Sequence, residues 1–289
     1  MPTTFTTSKI IAATGISKEL LYAWEARYAA VVSTQGATGR RQYEASAVRR
    51  IRLLQKLVGK GSKISSVATL KDEELVVALY HQSAPELIEL LNLLRTRAFA
   101  AFESQVAAFC ERLGVLDFTT RIALPLMAEV GEEWEAGKLS VAAEHFATST
   151  LRIYISAELR ITPIARRAKT ALFTTLSDER HELGILAAAL VARYSGWACL
   201  YLGPNLQVDE IIDVARHSRP KLITIGLTSE DRGSAQTELE RIVDVTAKDA
   251  IVCVGGKGAR KIKGGARLLV VKSIQEFAAL VGTVPASAQ

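Results

Sequence analysis

Glu179, His181 and Gly184 stand two and three residues apart in the stretch Glu179-Arg180-His181-Glu182-Leu183-Gly184. An imidazole can ligate a metal through one ring nitrogen while a nearby carboxylate holds the other, fixing tautomer and orientation. A glycine three residues further on leaves out a side chain where a large ligand would approach the backbone. The elements that must position these groups can be read on either side. Residues 171–176 form an apolar, partly β-branched run that predicts a strand, and residues 184–193, rich in Ala and Leu, predict a helix. His181 is therefore expected in a loop at the carboxyl end of a strand, where open α/β sheets hold their ligands. A lone loop histidine is more often a surface or helix-start residue, so this spacing alone decides nothing.

The rest of the carboxy-terminal third supplies a sheet for that loop. Further apolar runs at residues 198–202, 222–226, 251–254 and 268–271 alternate with amphipathic segments such as 208–215 and 235–245. Five strands with helices between them predict a parallel sheet covered on both faces, in the flavodoxin-like order. Gly255-Gly256-Lys257-Gly258 follows the fourth strand; it could cradle a phosphate but lacks the P-loop spacing.

Gly226-Leu227-Thr228 begins 42 residues after Gly184, and Gly255-Gly256 comes later. With Glu-x-His-x-x-Gly these resemble the cobalamin-binding module of B12-dependent proteins, whose pattern is Asp/Glu-x-His-x-x-Gly, Ser-x-Leu/Thr and Gly-Gly. The resemblance implies that His181 replaces the dimethylbenzimidazole base as lower cobalt ligand, with Glu179 and Gly184 beside it. It also implies that the displaced nucleotide tail threads a slot lined by Gly226, Thr228, Gly255 and Gly256. Gly226 stands where that family has Ser.

Charge is concentrated at the other end of the chain. Of 36 Lys/Arg and 30 Asp/Glu, residues 1–70 hold eleven basic and three acidic groups, net +8, and the remainder holds 25 against 27. A small basic domain on a near-neutral body is the electrostatic footprint of a nucleic-acid binder, although a solvated basic face would look the same. The pattern of residues is more specific. A short helix from Thr7 ends at Thr14-Gly15-Ile16, and Ser17 caps a second helix through Trp24-Glu25-Ala26-Arg27-Tyr28. That is a helix-turn-helix layout. Gly39-Arg40-Arg41-Gln42-Tyr43 then reads as a glycine-rich hairpin, and residues 44–57 resume a helical period. Helix-turn-helix, wing and helix at these spacings resemble the MerR-type DNA-binding domain over about residues 4–75. The resemblance implies that Arg27, Arg40 and Arg41 meet phosphate or groove edges of a double-stranded operator, and that Trp24 belongs to the core. Lys18 and Tyr22 are further exposed candidates on the second helix.

Between these ends, residues 85–94, 98–113, 118–134 and 140–159 each repeat apolar residues at three and four, predicting four consecutive helices and a bundle. A dimerisation or spacer bundle would need no more. Trp134 is, however, followed by Glu144-His145, a charged pair among small apolar residues whose burial would be costly without a polar partner. Trp-x9-Glu-His ahead of the cobalamin pattern closely resembles the CarH/LitR family of B12-dependent photoreceptor transcription factors. The resemblance implies adenosylcobalamin between bundle and sheet, with Trp134, Glu144 and His145 around its upper adenosyl group and His181 on cobalt from below. It also implies a homo-oligomer, dimer or tetramer, that changes assembly with ligand and light. Family photoreceptors often carry a His directly after the Trp; here that residue is Glu135.

The expectation is a multidomain protein: a winged helix-turn-helix at 1–75, a helical cap at 76–167 and an α/β domain at 168–289. With 289 residues, 49% of them apolar, core is ample and chain beyond about Val284 is expected to be disordered. Cys110, Cys199 and Cys253 are far apart and lack zinc or redox spacing, which suits small buried residues of a reducing cytoplasm. No signal peptide or membrane span is expected. His81 and His217 have no partners at motif spacing and read as surface residues. A cobalamin-dependent transcription regulator, not an enzyme, is the leading reading. A MerR-type regulator that senses another tetrapyrrole or uses a ligand-free assembly domain is the alternative. A corrinoid methyl-carrier module comes third, because it leaves the basic winged domain without a task.

Overall fold

The computed structural model describes residues 4–36, 39–44, 46–59, 61–72, 74–75, 78, 85–164, 166–230 and 233–283. His81 and the chain beyond Thr283 lie outside the described residues. Two compact units divide the chain, Met1–Ile88 and Glu89–Gln289.

In the first unit, β1 (Thr4–Thr6) leads into α1 (Thr7–Thr14), α2 (Lys18–Tyr28), β2 (Thr34–Gln35), β3 (Arg41–Glu44), α3 (Ser46–Gly59) and α4 (Ile64–Val67). Gly15, at φ +69°, donates its N–H to Ile11 O and ends α1, and Ser17 Oγ accepts from Leu20 N at 3.1 Å to start α2. The wing was expected as a two-stranded hairpin, but β1 joins it, giving the antiparallel order β1-β3-β2. Three residues directly ahead of a helix carry no periodicity, so this strand is invisible until β3 pairs with it. Ile10, Leu21, Trp24, Tyr43, Ile51, Leu54 and Leu57 form the buried centre, which confirms Trp24 as core. Arg50 on α3 crosses to Ala30 O at 2.5 Å, Ala68 O at 2.6 Å and Asp72 at 2.7 Å, tying both flanking segments to the helix.

The second unit holds the helical segment and the α/β domain. Helix Phe99–Leu113 buries Phe102 and Val106, and helix Val141–Ile161 buries Ala143, Ala147, Leu151 and Ile155. Arg95 pairs with Glu133 through two hydrogen bonds, the Nε one at 3.0 Å. Residues 118–134 were expected as one regular helix. Instead helix Val115–Phe118 passes through a π turn, Thr119–Ala123, into helix Leu124–Glu135. Pro125 explains the turn: it has no N–H to donate and its ring crowds the preceding turn, so the backbone widens by one residue and Leu124 N reaches Thr119 O.

Five parallel strands follow: β4 (Thr170–Leu176), β5 (Ala198–Leu206), β6 (Leu222–Gly226), β7 (Ile251–Gly255) and β8 (Leu268–Val271). Their order, β5-β4-β6-β7-β8, is the flavodoxin-like one. One face packs helices Val208–Ser218 and Ala235–Val245 around Ile211, Leu239, Ile223 and Val252. Helix Ile274–Thr283 lies on the other face, with Phe277 edge-on to Phe173. Helix Leu183–Tyr194, apolar all round, is buried because it packs against both the sheet and helix Val141–Ile161. β5 runs four residues beyond the expected strand. Gly203-Pro204-Asn205 reads as a turn, but β5 is an edge strand, where Pro costs no ladder bond, and Thr174 Oγ1 holds Gly203 O at 2.7 Å.

Candidate functional site

The site forms where β4 ends. Thr175 Oγ1 donates to Glu179 O at 2.5 Å, and Asp178 takes a left-handed conformation, φ +63°, which turns the chain sharply. Glu179, 1% exposed, is thereby folded under His181. Its Oε1 accepts from His181 N at 3.0 Å and faces His181 Nδ1 at 2.6 Å, while Oε2 accepts from Thr228 N and Ser229 N at 2.7 Å each. Burial pushes the Glu179 carboxyl up, but the hydrogen bonds from the His181 ring and from three backbone N–H groups outweigh it and hold the group at about 2. In return the hydrogen bond and charge of Glu179 raise the His181 value against its own desolvation, and the Glu144 carboxylate adds to the rise. The His181 side chain is 74% exposed, and its Nε2 has no partner among the described residues. An imidazole held through Nδ1 with Nε2 free is the form in which histidine ligates a metal.

Beneath the ring a cavity of about 210 Å³ runs down the sheet face. His181, Gly184, Gly226, Thr228, Gly255 and Gly256 all line it, so six of the sequence-selected residues converge on one slot. The glycines differ in what they do. A Cβ on Gly184 would meet nothing, whereas on Gly256, at φ +115°, it would sit 2.3 Å from Leu227 O. Gly256 is thus required by the close approach of two loops, and Gly184 keeps the mouth open. A Cβ on Gly226 would crowd Thr175 Cγ2 at 3.0 Å and Ile185 Cβ at 3.2 Å, so a side chain here would require these two neighbours to give by a few tenths of an ångström.

Sequence reasoning missed the apolar walls, Leu124, Ile185, Ala188, Val271 and Phe277, which look like any other core positions. It also missed Thr224, a polar residue inside the apolar run Leu222-Ile223-Thr224-Ile225, where that interruption was a readable signal. Arg152, Glu182 and Tyr201 were missed as well. Glu182 accepts from Tyr201 Oη at 2.8 Å and pairs with Arg152 at 3.5 Å, linking helix Val141–Ile161 to the loop that carries His181.

Of the residues expected on the upper side, Trp134, Glu144 and His145, none lines the slot. Trp134, in the last turn of its helix, is 46% exposed, and neither it nor Glu135, also exposed, lines the slot. Glu144 is half-buried and accepts from Thr148 Oγ1 at 2.9 Å, while the His145 side chain is 75% exposed with Nε2 3.5 Å from Glu144. The burial argument therefore fails for His145, which the helix turns to solvent, while Glu144 is half-buried and has its polar partner in Thr148. Glu144 keeps an electrostatic link to His181. His217 is exposed, as read from the sequence.

The first unit has its own candidate face. Lys18, Arg27, Arg40 and Arg41 are exposed. Tyr22, expected to be exposed, is half-buried against the core with the Arg41 guanidinium 4.2 Å from its ring centre and Lys18 at 5.8 Å. Glu25 accepts from Tyr43 Oη at 3.2 Å and from Ser33, and pairs with Arg41 at 3.5 Å. The wing is thereby pinned to the second helix, and Arg41 is oriented before anything binds. Among the described residues there is no cluster of three or more metal-ligating side chains and no helix long and apolar enough to cross a membrane.

Residues 5–74 match the family described as MerR HTH family regulatory protein, and residues 72–157 match the family described as B12 binding domain. The chain is 26% identical over 277 residues to the HTH-type transcriptional repressor CarH of Myxococcus xanthus, across 90% of this chain and 91% of that protein. The Methanosarcina barkeri monomethylamine corrinoid protein is similar in structure, with a TM-score of 0.54 at 17% identity over 68% of this chain and 96% of that one; at this identity the likeness is one of fold. Both family segments, in this order on a chain that aligns with CarH over nine-tenths of its length, make this protein a MerR-type transcription regulator with a B12-binding domain, a homologue of CarH.

Proposed function

We propose that the protein is a cytoplasmic, light-responsive repressor that holds adenosylcobalamin base-off, with His181 as lower cobalt ligand, and couples the ligand's state to homo-oligomerisation and operator binding. The observation that carries this reading is the Glu179–His181 pair at the mouth of the glycine-lined slot. The residues present fit the group: Nε2 is free above, the walls below are apolar, and the buried Thr224 hydroxyl has no partner among the described residues. Bound adenosylcobalamin would supply a cobalt–carbon bond that light can break. Everything else falls to the chain. Glu179 fixes the imidazole, Gly184 admits a ring system close to the backbone, and Gly226, Thr228, Gly255 and Gly256 border the slot for a nucleotide tail. Trp134, Glu144 and His145 cover the upper side, on the division into reader (1–75), cap (76–167) and sheet domain (168–289). Arg27, Arg40 and Arg41, with Lys18 and Tyr22, meet double-stranded DNA. A dimer or tetramer supplies the second half-site that one small reader needs.

The test is absorption spectroscopy of the purified protein with adenosylcobalamin in the dark. A base-off, His-on spectrum is expected, and His181→Ala should lose it or weaken binding at least tenfold. An unchanged spectrum in that variant would remove the assignment of the lower ligand. No cobalamin binding at all would favour a regulator that senses another tetrapyrrole or assembles without ligand.

A further inference from the structure

Residues 257–272 hold six Lys/Arg and no Asp/Glu, within residues 71–289, whose 25 basic and 27 acidic groups nearly cancel. Solvated surfaces ordinarily intersperse both signs, so a stretch of one sign creates a local field. The stretch leaves β7, passes through a 3-10 turn, Gly258–Lys261, and enters β8. Its backbone is held by what surrounds it. A Cβ on Gly258 would sit 2.1 Å from Ser229 O. Gln236 clamps Lys263, accepting from its N–H at 2.8 Å and donating to its carbonyl at 3.3 Å, and Gly265 N donates to Leu268 O at 2.8 Å. A loop fixed in this way presents its charges with little ordering left to pay for on contact. The six cations differ in how far they are engaged. Arg267 closes the end of helix Ala235–Val245 through Val243 O at 2.6 Å and Ala247 O at 3.0 Å, and Lys272 borders the slot. Lys257 pairs with Glu230 at 3.5 Å, and Lys261 donates to the Glu230 carbonyl at 2.9 Å. Glu240 is taken by Gln236 at 2.7 Å. Arg260 and Lys263 are exposed, and their side chains have no partner among the described residues.

We infer that the loop between β7 and β8 is a second, sequence-independent DNA contact, with Arg260 and Lys263 meeting phosphates of the duplex beyond the stretch covered by the winged reader. Double-stranded DNA is the occupant because the same chain carries a DNA reader: once the reader is bound, the duplex is the polyanion that the tether keeps at high effective concentration around the second unit. Unpaired Lys and Arg on a fixed backbone take phosphate, which adds affinity and salt dependence but carries no sequence information. This rests on the reader binding DNA and is independent of cobalt ligation by His181.

The experiment measures binding of the full chain, in the dark with and without adenosylcobalamin, to an operator selected from random duplexes by the protein itself. The operator is used trimmed and with flanking DNA on both sides, over a range of salt. Wild type is compared with the double variants Arg260→Ala/Lys263→Ala and Arg260→Lys/Lys263→Arg. On the flanked duplex the alanine pair should bind more weakly, with a log–log salt slope shallower by about 0.9 per lost phosphate contact, about 1.8 in all. The charge-conserving pair should keep the wild-type slope, and on the trimmed duplex all three should bind alike. Melting temperature and adenosylcobalamin affinity should stay those of wild type, because both side chains are exposed and neither lines the slot; a fall in either would make the loop structural and overturn the inference. An unchanged slope on flanked DNA overturns it and leaves the loop to an acidic protein partner. An equal loss on both duplexes would be a long-range effect of net charge and overturns it too. Failure of wild type to bind any duplex in either ligand state would bring down the reader's assignment and the inference with it.

Discussion

Glu179 grips the ring of His181 from below, Oε1 to Nδ1 at 2.6 Å, while its second oxygen takes the backbone N–H groups of Thr228 and Ser229. One carboxylate thus fixes the imidazole to the loop after β6, and the two walls of the slot mouth move together. Glu179→Gln keeps the shape but gives one side of the amide no lone pair. Either His181 or the two N–H donors then lose their acceptor. Cobalamin affinity is expected to fall about 10- to 100-fold. Titration of the variant by cobalt absorption checks this, and an unchanged midpoint would mean that the pair does not orient the ligand.

Proton binding at the site has a defined sign. His181 titrates above its ordinary 6.5 because Glu179 holds its protonated form, so its contribution to folding is present below 6.5 and is lost as pH rises through the raised value. Ligation needs the neutral ring, and the proton must leave first. Affinity for cobalamin in the His-on form is therefore expected to rise with pH until His181 has titrated and then to level off. Glu179, held at about 2 against an ordinary 4.5, contributes stability above 4.5 that disappears as pH falls towards 2. A binding curve that weakens as pH rises across the His181 titration would contradict this order of events.

On the reader, Arg41 is held by Tyr22 and Glu25 and Arg40 is not engaged by either. Arg40→Ala is expected to weaken DNA binding evenly across sequences and to flatten the log–log salt dependence by about 0.9 per lost phosphate contact. Glu25→Gln should act indirectly, loosening the wing through Tyr43, Ser33 and Arg41 together. It should lower affinity while leaving the salt slope near that of wild type. Competition binding at several salt concentrations separates the two effects, and identical slopes for both variants would show that Arg40 meets no phosphate.

Glu135 follows Trp134, and a carboxylate is a weaker partner for low-spin cobalt than an imidazole. Illumination of the adenosylcobalamin-loaded protein should accordingly give a product without a bis-imidazole spectrum, and Glu135→His should create one. His145, in the first turn of the facing helix and largely exposed, is the residue able to substitute. A bis-imidazole spectrum in wild type that vanishes in His145→Ala would transfer the role to His145. One that persists in both would end the argument from Glu135.

Much of this was readable in the chain because local chemistry and global fold agree. The α/β order follows from five apolar runs with helices between them, and Glu179, His181 and Gly184 stand out once their spacing is taken together with the later Gly226-Leu227-Thr228 and Gly255-Gly256. What stayed hidden depends on partners distant in sequence. β1 exists because β3 lies beside it, β5 lengthens because Thr174 and Thr175 bond to its far end, and Ile185, Val271 and Phe277 become slot walls only when the sheet is assembled. The expected burial of His145 failed for the opposite reason. Small apolar neighbours suggested burial, but the helix exposes the face that His145 occupies.

The π turn at Thr119–Ala123 sets the angular phase of everything after it on that helix. Each residue in an α-helix advances about 100° around the axis, so the extra residue in the widened turn rotates the stretch from Leu124 to Glu135 by that amount relative to a regular continuation. Leu124, which faces the slot, and Trp134, which faces outward, both take their bearings from it. The helix thus behaves as a dial with one set position: restoring a regular turn by deleting one residue would swing Leu124 off the slot and re-aim Trp134, with every side chain on the helix otherwise unchanged.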